Sequence, residues 1–295
     1  MGNGHDLRGE TPELADSGFQ VTFFCVVPCE GLIVSVSECL NANWKALYVP
    51  QFFVQYDDFV ATSRNNNSQT LLIDADDTLW ENNIYFERAI ADFISFLNHH
   101  ERTPAEVRAI LNQVEREAIV THGYGLRSFT HSLVTTFERL SVEPITPALH
   151  ETIHGFARTI AEQPVQFLPK VPEALAYLSE RHQLILVTKG DLAEQKRKVE
   201  HSGLRDFFQA VEILSEKNAA AYQKIVDHHQ LEKERTWMVG NSPKSDINPA
   251  LAAGLNAIFV PHGDTWVLEH EELAEATPPL RLLVLTQFAE LTKHF

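Results

Sequence analysis

The hydrophobic pattern of the chain changes rhythm twice. Leu71-Leu72-Ile73 is too short for a helix face, follows the turn-forming Asn65-Asn66-Asn67-Ser68 and stops where a set of acids begins. That predicts a short buried strand. From Asn83 to Gln163 apolar residues recur at three- and four-residue spacing, as at Ile84, Phe86, Ile90, Phe93, Ile94 and Leu97, which is the period of amphipathic helices. Thr103-Pro104 reads as a helix cap with a first-turn proline. Further amphipathic stretches cover Leu126–Leu140 and Pro147–Ala161, with breaks at Gly123-Tyr124-Gly125, Pro144 and Pro147. About four helices are expected in this segment.

After Pro164 helix and strand alternate. Helices are expected over Val171–Arg181, Leu192–His201, Glu216–His229 and Ser245–Ala253, and strands over Leu184–Thr188, Ala210–Leu214, Thr236–Val239 and Ala257–Val260, with Leu282–Leu285 at an edge. Such alternation implies right-handed crossovers and a parallel sheet covered on both faces. Leu71–Asp74 completes that sheet from across the helical segment. The fold class is therefore α/β, a Rossmann-like parallel sheet flanked by helices with an inserted α-helical module. Residues 69–82 and 164–295 form the α/β core and residues 83–163 the helical insert; residues 1–68, without clear periodicity, read as a loosely ordered N-terminal extension.

Composition narrows the function classes. With 44% hydrophobic and 22% charged residues in 295, the chain is that of a soluble globular protein able to bury a core. Its net charge of −16, from 24 basic against 40 acidic side chains, disfavours nucleic acid and anionic membranes as partners. A small anionic substrate is compatible only where local cations or a metal reverse the field. Cys25, Cys29 and Cys39 show no finger spacing and read as free thiols in a reducing, cytoplasmic setting. The apolar run Phe19–Val36 is broken by Pro28, Glu30 and Gly31 and lacks a basic flank, so neither a signal nor a span is expected.

In a parallel sheet every strand's carboxyl end faces one edge, so residues far apart in sequence converge there. Four polar clusters fall at such ends: Asp74-Ala75-Asp76-Asp77-Thr78; Thr188-Lys189-Gly190-Asp191, a hydroxyl with backbone N–H groups suited to an anion; Lys217; and Gly240-Asn241-Ser242-Pro243-Lys244-Ser245-Asp246. Two carboxylates held two residues apart raise each other's pKa and imply a cation or a shared proton. Taken singly, each cluster reads as a polar turn, a helix cap or a solvated lysine; their joint order points to chemistry.

That order and spacing resembles the haloacid dehalogenase-like (HAD) hydrolase superfamily across about Gln69 to Pro261, with the helical insert as its small α-helical cap. The resemblance implies a phosphatase. Asp74 would be the nucleophile that forms an aspartyl-phosphate, and Asp76 the general acid and base. Thr188 and Lys217 would hold the non-bridging oxygens. It also implies Mg²⁺, with Asp74 through its side chain and Asp76 through its carbonyl oxygen as ligands. Asn241 stands where many members have Asp; its amide oxygen can ligate but adds no charge, so Asp246 would supply the negative charge, directly or through a water. Lys189 reaches either the phosphate or the surface. The break around Gly123 is expected to face the active site and bring Tyr124 or Arg127 to the leaving group. Trp80 reads as core, and His99-His100 and His228-His229 as surface residues.

The implied substrate is a small phosphorylated metabolite. A phosphomutase shares these motifs, and a non-catalytic phospholigand- or partner-binding protein is the reading outside enzymes. A dehalogenase needs no second carboxylate, and phosphonate cleavage wants a cap lysine, whereas Asn83–Gln163 contains none.

Overall fold

Thr70–Ile73 (β1) is the central strand of a six-stranded parallel sheet. The computed structural model describes residues 68–97, 101–141 and 144–295, which form one compact unit. The expected N-terminal extension, its cysteines and His99-His100 lie outside the described residues.

The remaining strands are Gln183–Lys189 (β2), Ala210–Leu214 (β3), Thr236–Gly240 (β4), Asn256–Phe259 (β5) and Leu282–Val284 (β6), in the order β3-β2-β1-β4-β5-β6. Four helices, Asn83–Leu97 (α1), Pro104–His122 (α2), Leu126–Leu140 (α3) and Pro147–Ala161 (α4), lie between β1 and the core helix Val171–Ser179 (α5). Leu192–Ser202 (α6), Ala219–His229 (α7) and Asn248–Ala252 (α8) complete the crossovers. The α/β class, the parallel sheet and the helical insert read from the sequence are those observed. No helix among the described residues is long and apolar enough to cross a membrane.

Period-two alternation sends successive strand residues to opposite faces. Leu71, Ile73, Leu184, Leu186, Trp237 and Val239 pack with Leu175 and Leu178 of α5 and with Val199 of α6. Leu72, Ile185, Val187 and Met238 pack with Tyr222, Ile225 and Val226 of α7 and with Ala250 of α8. The insert has its own apolar centre, including Ile90, Phe93, Leu111, Phe129, Leu133 and Ile153.

Two helix starts differ from expectation. The helix expected from Glu216 begins at Ala219, because the Asn218 side chain accepts the Ala221 N–H at 2.9 Å and caps it. Lys217 is thereby left in the connecting loop. The helix expected over Ser245–Ala253 is a wide π-helical turn, Pro243–Ile247, followed by α8. In that turn Asp246 and Ile247 both donate to the Ser242 carbonyl, at 2.9 and 3.1 Å, and the Asp246 side chain folds back onto the Ser242 N–H at 2.9 Å.

Candidate active site

Strand order reverses direction at β1, between β2 and β4, and such a switch point opens a crevice outside the strand ends. Asp74 extends β1 by one bond, its N–H donating to the Val239 carbonyl at 2.9 Å. The chain then turns tightly: Leu79 and Thr78 donate to the Ala75 carbonyl, and Asp77 takes the left-handed conformation with φ 58°, which Asp tolerates better than most residues. Asp77 accepts the N–H groups of Asn82 and Asn83 at 2.8 and 3.0 Å, fastening the start of α1.

Asp74, Thr188, Lys217, Asn241 and Asp246 are all buried and share one cavity wall with Asp76. The Lys217 ammonium bridges Asp74 Oδ1 at 2.5 Å and Asp246 Oδ1 at 2.7 Å. Burial together with the Asp246 charge nevertheless raises Asp74 to about 7, against the pull of Lys217. For Lys217, burial works against the charged form, but Asp246 and Asp74 outweigh it and its pKa is raised. Thr78 Oγ1 lies 2.9 Å from Asp74 Oδ2 and 3.3 Å from Asn241 Oδ1, so these two oxygens converge.

Asp76 is gripped from three sides. Lys198 Nζ lies 2.9 Å from both of its oxygens, Gln195 Nε2 donates at 3.0 Å and the Trp80 indole at 2.7 Å. Burial alone would raise its pKa, but these partners, Lys198 foremost, hold it below the usual carboxylate range. Gln195 also accepts from Thr188 Oγ1 at 3.2 Å, tying the second cluster to the first.

Several expected roles need correction. Asp246 accepts from Lys217 and from the Ser242 N–H, so it orients the lysine. Lys189 reaches neither open solvent nor a vacant phosphate site: it pairs with Glu269 at 2.8 Å, donates to Ser245 at 2.7 Å and sits 4.1 Å from the Tyr124 ring centroid. Burial would raise Glu269, yet Lys189, Ser245 and Ser242 hold it low. The Gly190 N–H is used by the Leu214 carbonyl, and the Asp191 side chain caps α6, so neither awaits an anion. Arg127 is exposed and outside the cavity wall, whereas Tyr124 lines it and donates to Glu216 at 2.7 Å. Trp80 is core, as read, but its indole also reaches Asp76.

Sequence reasoning missed Gln195, Lys198 and Glu115. Gln195 and Lys198 stand three apart on the face of α6 that carries Val199, and Glu115 continues the four-residue row Val107–Leu111 on α2. A polar residue on an apolar row was the available signal. Also missed was Glu212, which joins His228 and His229 with ligand-type atoms within 4.8 Å, on the sheet edge away from the cavity.

A buried carboxylate, a bridging lysine and a second fixed carboxylate thus meet at a Rossmann-type switch point. Residues 69–254 match the family model for haloacid dehalogenase-like hydrolase, and the chain belongs to that family. A haloacid dehalogenase-like family hydrolase from Xanthomonas campestris is 30% identical over 77% of this chain and 94% of its own, with TM-score 0.64. L-2-haloacid dehalogenase from Xanthobacter autotrophicus is 16% identical over 77% and 97%, with TM-score 0.53. A predicted phosphoglycolate phosphatase from Haemophilus somnus is 15% identical over 77% and 98%, with TM-score 0.52. The last two share the fold. A comparison with curated proteins found no significant match.

Proposed function

We propose that the chain is a Mg²⁺-dependent phosphomonoester hydrolase. The observation that carries this reading is Asp76, a second carboxylate fixed beside Asp74 by Lys198, Gln195 and Trp80. Displacing halide from carbon requires no proton for the leaving group, whereas an alkoxide leaving from phosphorus does. A site that invests three partners in that carboxylate favours the phosphoester.

Asp74 attacks phosphorus in line, forming an acyl–phosphate bond as the ester P–O bond breaks. Asp76, ionised among its donors in the free protein, takes up the proton that the phosphate monoanion or Lys198 carries and passes it to the departing oxygen, then takes one from the water that hydrolyses the aspartyl-phosphate. Lys217 and the Thr188 hydroxyl stabilise the charge on the non-bridging oxygens.

The donor set suits a hard cation. Asp74 Oδ2 and Asn241 Oδ1 converge on Thr78, and burial, with the Asp246 charge beside it, leaves the Asp74 carboxylate short of compensating charge despite Lys217. Asp74, Asn241 and the Asp76 carbonyl would hold Mg²⁺, which when bound neutralises charge between the carboxylate and the phosphate.

Phosphate release is measured from aryl phosphate, sugar phosphates, nucleotides and phosphorylated acids, with Mg²⁺ or chelator. Wild type should release phosphate only with metal, and Asp74→Asn not at all. Equal release by both proteins would overturn the covalent route.

A further inference from the structure

Glu115 projects into the cavity from the insert and has no use in the proposed chemistry. It is only 6% exposed, and its Oε2 is buried without a hydrogen-bond partner. The Trp266 indole, on the same cavity wall, lowers the pKa of the carboxyl only slightly against the effect of burial. Arg108 cannot supply the missing donor, because that guanidinium is bound at both ends to Glu87, at 2.7 and 2.8 Å, and to Asn112. Arg116 points to solvent. An unmet acceptor of this kind costs free energy in the empty protein and repays it when a ligand supplies the donor.

The surrounding wall restricts what that donor is. Phe86, Phe129, Tyr124 and Trp266 line the same cavity, with Ile90 and Ile119. Phe86 and Phe129 meet edge to face at 5.0 Å. Aromatic side chains beside a carboxylate favour an organic cation. The cations on the wall are Lys189, Lys198 and Lys217, and each is already ion-paired, with Glu269, Asp76, and Asp74 plus Asp246. A ligand carboxylate would meet an unpaired acid and no free cation among the lining residues.

We propose that the substrates are phosphomonoesters whose alcohol carries a protonated amine, with the phosphate at Asp74 and the ammonium at Glu115. The assignment rests on the phosphatase reading for the phosphate end, and its recognition end is tested separately. The ammonium fills the open Oε2 acceptor and offsets the charge of the buried carboxylate, while the methylene stem lies against the aromatic and aliphatic wall.

The test titrates wild-type protein and Glu115→Gln, with chelator in place of Mg²⁺ so that the esters are bound and not hydrolysed, against ω-amino-, ω-hydroxy- and ω-carboxyalkyl phosphates of matched, increasing chain length, by calorimetry. Turnover of p-nitrophenyl phosphate and of the amino esters, with Mg²⁺, is followed in parallel. At its best chain length the amine should bind wild type about tenfold or more tighter than the other two, and Glu115→Gln should erase that ratio. Aryl phosphate turnover with no amine preference overturns this assignment and leaves the phosphatase standing. An amine preference abolished by Glu115→Gln, with no phosphate released by Mg²⁺-loaded wild type from the aryl or the amino esters, supports the ammonium site at Glu115 and overturns these esters as substrates together with the phosphatase reading. The wild-type ratio alone decides the matter where Glu115→Gln does not fold: hydroxyl or carboxylate preferred over amine is fatal to it.

Discussion

The Lys198 ammonium sits 2.9 Å from both carboxylate oxygens of Asp76, and a third bond of 2.8 Å ties it to Asn82. Lys198 comes from α6 and Asp76 from the loop after β1, so the helix following β2 fixes the second carboxylate of the loop following β1. Gln195 extends the same grip to Thr188.

Lys198 therefore acts as a positioning residue for Asp76. An aryl phosphate isolates its effect, because its leaving oxygen needs little protonation and the rate then reports Asp76 as base. Lys198→Met should lower kcat about tenfold or more while KM changes much less, and Asp76→Asn should cost about 10²-fold or more. Unchanged kcat in Lys198→Met would mean that Gln195 and Trp80 suffice.

Gly240 is required by close approach. A Cβ there would land on the Asp246 carboxylate, which cannot withdraw without releasing Lys217 and the Ser242 N–H. Gly240→Ala should destabilise the protein by about 1–3 kcal/mol and reduce activity by displacing Lys217. In an Asp246→Gly background neither the carboxylate nor the Cβ that lies 2.7 Å from the added atom remains, so the two changes should be strongly non-additive in urea unfolding. Additive costs would place the strain elsewhere.

The core was legible because each strand is a short apolar run and each crossover helix has a clear period. The positions of Asp74, Thr188, Lys217 and Asn241 followed from topology, since parallel strand ends share an edge. What remained hidden is pairing. Nothing in the spacing of Lys189 reveals that Glu269, 80 residues later, takes its charge. That Asp246 folds back onto the Ser242 N–H and holds Lys217 follows from the wide turn after Ser242, which no spacing announces. Arg127 sits next to a cavity-lining loop, yet α3 starts at Leu126 and carries it outward. Glu115 and Lys198 were visible as charges on buried helix faces, but only the fold shows that both faces look onto the same cavity.

Asn241 bears on metal affinity. Its Oδ1 shares the Thr78 hydroxyl with Asp74 Oδ2, so Asn241→Asp places a second negative charge beside Asp74. Without metal the two carboxylates repel and thermal stability should fall. With Mg²⁺ the added charge should tighten binding about tenfold, roughly 1.4 kcal/mol, and the metal-induced rise in melting temperature should exceed that of wild type. The check is melting with Mg²⁺ against chelator. A smaller metal-induced rise in Asn241→Asp than in wild type would take Asn241 out of the metal site.

Glu115 also sets a pH signature on stability. Burial, opposed by Arg108 and reinforced by Glu87, with smaller lowering from Trp266 and Arg116, raises its pKa from 4.5 to about 7. The folded protein thus binds this proton more tightly than the unfolded chain, so the carboxyl costs no stability below pH 4.5, and its penalty grows until about pH 7. Replacing it by Gln removes the ionisation. The stability of Glu115→Gln relative to wild type should therefore rise across that window, by a span on the order of 1–3 kcal/mol, and then level off. Urea unfolding at a series of pH values measures it. A difference that stays constant with pH would show that the Glu115 carboxyl ionises in the folded protein as it does in water, leaving no buried charge for a ligand cation to answer.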